Sequence, residues 1–426
     1  MGKTAIIGFG CAGYHVAKAL REEKRREQIV VYSDAGEAPA NPMLVTYFVA
    51  GKIQRDTMFP YGRQEELSRE LSLDLRRNAS VAKLLAKEKC VVLQDGSKEH
   101  FDDVVIATGA RPIVPSVPGM PENGVYVMRT PRDADTLRGA VEKGIARALI
   151  LGASWVGVKV AEALLEYGVC LTMADMAPRV FPMAVLPDTA EAIHGRLTEK
   201  GIALKLGYAL SSMGMEDGDI VSVFADGSAV RADAVILCLG LQPALEMLDP
   251  KEVEIGRGVR TDPCMRTNVP HVYAAGDCCE NLELATGQSI PVNLLTHAAV
   301  QGRCAGRNIA GRNERYDGNF LHNITHFMDT DFVGIGDNRA QGERLFYRHP
   351  RKGWTLEAVI RDGRPVCLNI LDNRELSGPA KAVLIRLFRP EPPPLHAAER
   401  YALKQAGLPE SIITSLGDGI YERVGK

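Results

Sequence analysis

Residues 6–20, IIGFGCAGYHVAKAL, set Gly8, Gly10 and Gly13 at GxGxxG spacing between an apolar strand pattern and an amphipathic helix pattern. A second strand pattern, QIVVYSD (28–34), completes a β-α-β unit. Each glycine has a separate physical task. Gly8 permits a tight turn, Gly10 lets the backbone approach a pyrophosphate, and Gly13 lets helix and strand pack closely. The helix start then offers free N–H groups and a positive dipole end to phosphate. Asp34 closes the second strand, where a carboxylate can hold a ribose diol. The pattern therefore predicts a dinucleotide-binding fold.

The same unit recurs at 147–176, RALILGASWVGVKVAEALLEYGVCLTMADM. Its turn is Gly152, Ser154 and Gly157, with Ser154 in place of the middle glycine, and Asp175 closes its second strand. Two further stretches bracket this repeat. DDVVIATGARPIVPSVPG (102–119) is a buried strand followed by Thr108, Gly109 and a proline-rich connector, and TNVPHVYAAGDCCE (267–280) is a strand ending in Gly276–Asp277. The order implies an interrupted first domain, which the chain leaves near residue 112 and re-enters near 261.

At 426 residues the chain is long enough for two or three domains. A formal net charge of -2 gives no basis for a nucleic-acid or polyanion binder. The opening MGKTAIIG runs straight into a buried-strand pattern without a signal-peptide layout, and lacks the Ser or Thr of a myristoylation site. The RVGK tail carries no lipidation motif, and no apolar run approaches the ~20 residues of a membrane helix. Nine scattered cysteines show neither zinc nor iron–sulfur spacing, so no metal site is expected. Most read as small core residues, Cys238 within a strand and Cys170 just ahead of one. A cytoplasmic location without structural disulfides is the expectation.

GFGCAG, ATGARP, GASWVG and YAAGDC, in that order over roughly residues 1–312, resemble the FAD-dependent pyridine nucleotide-disulfide oxidoreductase superfamily. The resemblance implies an α/β fold: two Rossmann-like dinucleotide-binding domains, the NAD domain inserted in the FAD domain, plus a C-terminal α+β domain. The expected boundaries are 1–112 and 261–325 for FAD, 113–260 for NAD(H), and 326–426 for the last domain.

The FAD positions it implies are Gly8, Gly10, Cys11, Ala12, Gly13, Asp34, Asn41, Ala107, Thr108, Gly109, Arg111, Gly276 and Asp277, the last on the ribityl chain. Leu295, Thr296, His297 and Ala298 open a helix (LLTHAAVQGRCAGRNIAG, 294–311) whose N-terminus points at the flavin pyrimidine end. There a helix dipole stabilises the charge of the reduced flavin. The NAD positions are Gly152, Ser154, Val156, Gly157, Asp175 and Gly240. An aspartate at 175 favours NADH, because it accepts hydrogen bonds from the 2′-hydroxyl and repels a 2′-phosphate.

Disulfide reductases of the superfamily carry a CxxxxC pair after the ribose acid, and peroxidase, oxidase and coenzyme A-disulfide members carry one cysteine nearby. The corresponding stretch here, EAPANPMLVTYFVAGKI (37–53), has none. Without a thiolate beside the flavin, disulfide chemistry lacks its first step. Cys278–Cys279 would form only a strained ring near the ribityl chain. Cys11 sits at a helix N-terminus, which should lower its pKa, yet it lies by the pyrophosphate, so a packing role is expected.

What remains resembles the ferredoxin- and rubredoxin-reductase-like branch, in which NADH reduces FAD and electrons pass to a small redox protein or small acceptor. NPMLVTYFVAG resembles that branch's RP-x-L-S segment, with Asn41 for the arginine and Thr46 near where some members have lysine. Leu295 stands where ferredoxin reductases often carry tryptophan. A second hypothesis is an NADH-responsive, non-catalytic flavoprotein of apoptosis-inducing-factor type; a third is an NADH oxidase or CoA-disulfide/persulfide reductase. In relatives, the stretch resembling 330–426 forms a homodimer interface.

Lys159 is the sharpest departure. Most relatives have glutamate two residues after the last glycine of the second turn, beside the nicotinamide. A lysine there either reaches flavin N5 or the carboxamide as a catalytic cation, or snorkels to solvent. His297 is expected to be solvent-satisfied near its cap, Arg76–Arg77 to lie in a solvated loop, and Arg179 to brush the adenosine. DFVGIGD (331–337), WTLEAVIRDGRPVCLNILD (354–372) and AVLIRLF (382–388) read as strands and a helix, RPEPPP (389–394) as a stiff linker, and 395–416 as helical.

Overall fold

The strand KTAII (Lys3–Ile7) is buried along nearly its whole length, as a parallel strand covered on both faces requires. In the computed structural model, which describes residues 2–24, 26–388 and 395–417, it is the centre of a five-stranded parallel sheet. The order is Val272–Ala274, Asp103–Ile106, Lys3–Ile7, Gln28–Ser33, Leu73–Arg77. Helices α1 (Cys11–Glu22) and α3 (Gln64–Glu70) pack on this sheet, while α2 (Val45–Val49), between them in the chain, buries Val45, Phe48 and Val49 in the core of the inserted unit. Arg76 and Arg77 close its edge strand, paired with Asp74 and Glu65, so the loop expected there is a strand. The aliphatic Leu73 and Leu75 carry that strand onto the core, outweighing the two charges at its end.

The inserted unit repeats the plan. Its parallel sheet runs Ala203–Leu206, Cys170–Asp175, Arg147–Leu151, Ala234–Leu237, Val125–Val127. Helices α4 (Pro131–Glu142), α5 (Trp155–Leu165) and α6 (Pro187–Glu199) accompany it. Thr130 caps α4 through a capping box with Asp133. The two units are joined by a short antiparallel pair, Ala110–Pro112 with Leu241–Pro243.

The chain returns to the first unit earlier than residue 261. Met247, Leu248, Val253 and Val259 already pack with Ile7, Tyr32, Val104 and Ile106. The segment carries no glycine motif; its apolar residues alone place it. Helix α7 (Leu295–Ile309) then lies along α1. A Cβ built on Gly302 would stand 2.4 Å from the Ala12 carbonyl oxygen, and one on Gly306 2.6 Å from that of Val16. Only glycine lets the two backbones come so close.

The last unit is an antiparallel sheet ordered His322–Phe327, Thr330–Gly336, Arg364–Leu371, Thr355–Arg361, Glu343–Arg348. It starts ahead of the boundary expected at 326. Helices α8 (Ser377–Leu387), α9 (Ala397–Gln405) and α10 (Glu410–Gly417) complete it. The RPEPPP linker and the RVGK tail lie outside the described residues. Trp155 binds this unit to the inserted one, stacking on Phe181 with centroids 4.0 Å apart and lying 4.6 Å from Phe332. Such pairs are worth about 1 kcal/mol each beyond the area they bury. Among the described residues no helix is long and apolar enough to cross a membrane.

Candidate functional site: two glycine turns and their acids

Gly8 has φ +106°, and a Cβ there would stand 2.2 Å from the Ala107 carbonyl oxygen. One on Gly13 would stand 2.2 Å from the Gly8 oxygen. Around Gly10, by contrast, a Cβ would meet nothing within 4 Å. Helix α1 has no side-chain cap at Gly10, and α7 none at Leu294. Each start therefore presents backbone N–H groups that a helix cannot satisfy internally. An open cradle above uncapped N–H groups fits a dinucleotide pyrophosphate.

The other expected FAD positions converge on this turn. Gly276 (φ +90°) faces the turn so closely that a Cβ would lie 2.9 Å from Cβ of Ala12 and 3.7 Å from that of Ala298. The Gly276 N–H donates to Gln301 Oε1 at 2.8 Å. Asp277 Oδ2 accepts from Arg129 at 2.6 Å, with both side chains largely enclosed. That leaves Oδ1 available to a ligand hydroxyl. Asp34 follows its strand exposed, with no ion pair among the described residues. Thr108 donates to the Ala244 carbonyl at 2.7 Å, and Gly109 has φ +70°. Asn41 accepts from Met43 N, and Thr296 is exposed beside the buried His297 and Ala298. Arg111 stands apart on the connecting strand pair, tied to Glu246.

Cys11 packs its thiol against the Tyr61 hydroxyl at 3.1 Å and the Leu295 carbonyl at 3.5 Å. Burial raises its pKa, more than the Tyr61 contact lowers it. The lowering expected from the helix start is overridden, because the thiol is enclosed by aromatic and carbonyl groups that do not hydrate a thiolate. Cys278 and Cys279 are free and fully buried, donating to the carbonyls of Ile106 and Gly276. The hydrogen bond to Cys278 and burial push the Cys279 thiol well up. Cys170 is exposed, so it is not the core residue expected of it: it opens its strand at the sheet's end.

His297 departs from expectation most clearly. It is 3% exposed, with Nδ1 2.9 Å from the Tyr316 hydroxyl. Burial, then Lys381 and His322, lower its pKa to about 4, so it is neutral at pH 7. It is a satisfied interior residue because the C-terminal unit covers the turn that sequence leaves open.

The second turn copies the first in its outer glycines. Gly152 has φ +110°, with a Cβ 2.3 Å from the Cys238 oxygen, and a Cβ on Gly157 would stand 2.1 Å from the Gly152 oxygen. The middle differs. Ser154 Oγ accepts from Gly157 N at 3.3 Å and donates to the Cys238 carbonyl at 2.9 Å. Asp175 accepts from Ala153 N and Ala177 N, both at 2.9 Å. Val156 is exposed at the helix start, and Gly240 (φ +104°) follows the neighbouring strand. Arg179 folds onto its own loop, donating to the carbonyls of Val185 and Pro182.

Lys159 does not reach for solvent. Its side chain is 12% exposed and its ammonium meets Glu162, the His326 carbonyl and the Tyr47 ring. Sequence reasoning missed Arg129, Gln301 and Tyr61, which lie in no spaced motif. Gln301 alone left a trace, four residues beyond His297 on the buried face of α7.

Two dinucleotide cradles, the second folded within the first, define a flavin-dependent NAD(P)H oxidoreductase. The family model described as pyridine nucleotide-disulphide oxidoreductase matches residues 2–293, and the chain belongs to that family. It is 29% identical over 342 residues to an NADH oxidase of Methanocaldococcus jannaschii, covering 78% of this chain and 76% of that protein. It is 26% identical over 368 residues to the NADH-dependent phenylglyoxylate dehydrogenase subunit epsilon of Aromatoleum evansii, covering 85% and 86%. Among solved structures, the covalent putidaredoxin reductase–putidaredoxin complex superposes with a TM-score of 0.84 at 20% identity, covering 96% and 99%.

Proposed function

We propose that this chain moves electrons between NADH and a small redox protein through FAD, with no thiol in the path. The observation that carries this reading is the cysteine-free stretch 37–53. Within that stretch α2 carries only Val, Thr, Tyr and Phe, none of them a redox group. The nearest alternative, Cys11, is a protonated packing group. FAD, when bound, supplies the junction between hydride and single-electron chemistry.

The chain's own residues fit the remaining tasks. The Gly8–Gly13 turn and α1 start would hold the FAD pyrophosphate, Asp34 its ribose, and Asp277, oriented by Arg129, its ribityl chain. The Gly152–Gly157 turn would hold the NADH pyrophosphate, with Asp175 as the carboxylate that selects NADH over NADPH. Putidaredoxin reductase, similar in fold, is joined in its complex to a small redox protein, and the dehydrogenase subunit works in an NADH-dependent assembly. Both support a protein partner. A homodimer through the C-terminal domain and a cytoplasmic location, which suits nine free cysteines, belong to the same reading.

The test offers the purified protein NADH with a rubredoxin, a ferredoxin, dioxygen and CoA disulfide in separate assays. Fastest turnover with one of the iron proteins is expected. CoA disulfide or dioxygen as the preferred acceptor would overturn the reading.

A further inference from the structure

Lys159 lies two residues past Gly157, about one turn in from the start of α5 at Trp155. An ammonium has three N–H donors. Here each meets a different part of the molecule. One goes to Glu162 on the same helix. A second goes to the carbonyl of His326 at 3.0 Å, on the first strand of the C-terminal sheet. The third faces the Tyr47 ring of α2, with the nitrogen 4.3 Å from the ring centroid. Lys159 and Glu162 are 12% and 14% exposed, so solvent and salt screen the cluster little.

We propose that Lys159 is a positioning residue: its ammonium ties the first unit and the C-terminal unit to α5, and so fixes how the NADH turn faces the flavin domain. The inference rests on the reading of Gly152–Gly157 as the NADH site. With all three donors committed, the ammonium acts through geometry rather than by reaching a cofactor.

The surroundings support a docking joint at this place. Helix α2 and the residues that follow it are fastened to the inserted unit at several other points. Arg138 donates to the Phe48 carbonyl at 3.2 Å and covers the Phe48 ring at 4.7 Å. Tyr167 donates to the Val49 carbonyl at 2.8 Å. Lys52 pairs with Glu162 at 3.3 Å and Glu166 at 2.8 Å, and Arg55 with Asp135 at 2.8 Å. These contacts join two units; Lys159 also reaches the third through His326, alongside the Trp155–Phe332 contact and the Arg196–Asp372 ion pair. The stretch that lacks a redox cysteine is thus an interdomain splice.

Charge sign matters at every contact. In Lys159→Glu a carboxylate would face the Glu162 carboxylate, the His326 carbonyl oxygen and the electron-rich face of Tyr47, turning three attractions into repulsions. Lys159→Met keeps the length and removes the charge. Lys159→Arg keeps the charge and can still bond carboxylate and carbonyl while stacking on the ring.

Two readouts on the FAD-loaded enzyme test the tie. One is amide hydrogen exchange of residues 45–49 and 322–327 without NADH. The other is stopped-flow flavin reduction across NADH concentrations, which separates the limiting rate from the binding constant. For Lys159→Met we expect exchange in both segments to accelerate and the limiting rate to fall about tenfold, with NADH affinity changed by no more than about twofold. Lys159→Arg should restore both. If Lys159→Glu does not fold, these two variants still decide. A slower limiting rate with unchanged exchange would mean direct action on the chemistry, and faster exchange with an unchanged rate a merely structural tie; either overturns the proposal. A wild-type flavin that NADH does not reduce would sink the functional reading instead, while exchange would still report on the tie.

Discussion

The two glycine turns are nearly superimposable in their backbone demands and opposite in how they satisfy themselves. Gly8 and Gly152 have φ of +106° and +110°, and Gly13 and Gly157 leave the same lack of room for a side chain. Yet α1 starts with no side-chain cap, and its acid, Asp34, is exposed and unpaired among the described residues. Helix α5 is capped by Ser154, and its acid, Asp175, is tied to Ala153 of the turn itself. The first turn leaves its helix N–H groups to a ligand, while the second bonds part of its own backbone through Ser154 and Asp175. That is the division expected of a resident FAD and a coenzyme that arrives and leaves with each turnover.

Matched substitutions probe the shared part first, where the effects should be largest. Gly13→Ala and Gly157→Ala both drive a Cβ into a carbonyl oxygen, so each should abolish binding at its own turn. Gly13→Ala should yield colourless or insoluble protein. Gly157→Ala should remain yellow by absorbance and lose reduction by NADH. If both variants kept FAD and NADH reduction, close packing at the two turns would not be what binding requires.

Asp175→Ala comes next. If Asp175 is the ribose acceptor, its removal should erode the preference for NADH over NADPH about tenfold to a hundredfold in kcat/KM, with FAD content unchanged. An unaltered ratio would take Asp175 away from the ribose.

Acid should separate the two regions. His15 and His297, in α1 and α7 beneath the first turn, both have pKa values lowered to about 4, chiefly by burial. A lowered histidine pKa contributes stability that is present above the unfolded value near 6.5 and is lost as pH falls through the folded value. For His297 the full shift is worth about 3 kcal/mol. Flavin release and melting of the first unit should therefore move to lower temperature between pH 6.5 and 4, and His297→Asn should weaken that dependence. Identical melting at pH 7 and pH 4.5 would contradict the burial of these rings. The smallest effect belongs to Ser154→Ala, which removes a helix cap worth about 1 kcal/mol. It should lower the melting temperature of the NADH-free protein by a few degrees and spare FAD binding.

Much of this comparison was legible in the sequence, because a positive-φ glycine and its spacing are local properties. The two turns, Asp34, Asp175 and the Gly276–Asp277 pair are all of this kind. What escaped depends on partners far along the chain. Arg129 becomes meaningful only opposite Asp277, and His297 is buried by Tyr316 and the C-terminal unit. Cys11 has the right place for an activated thiol, yet Tyr61 and Leu295 enclose it. The stretch 244–260 has no motif and is assigned only by where its apolar residues pack. Lys159 was conspicuous as a charge reversal, but its three partners come from three units and no spacing announces them.

The central claim is that electrons pass through the flavin without a thiol, and anaerobic titration with NADH tests it most directly. A flavin acting alone accepts the two electrons of one NADH, whereas a flavin with a redox-active disulfide accepts a second equivalent. The account predicts full flavin bleaching at one NADH per FAD, both in the wild-type protein and after replacement of Cys11, Cys278 and Cys279 together. Uptake of a second equivalent by the wild type, lost in the triple variant while its FAD content is retained, would contradict it.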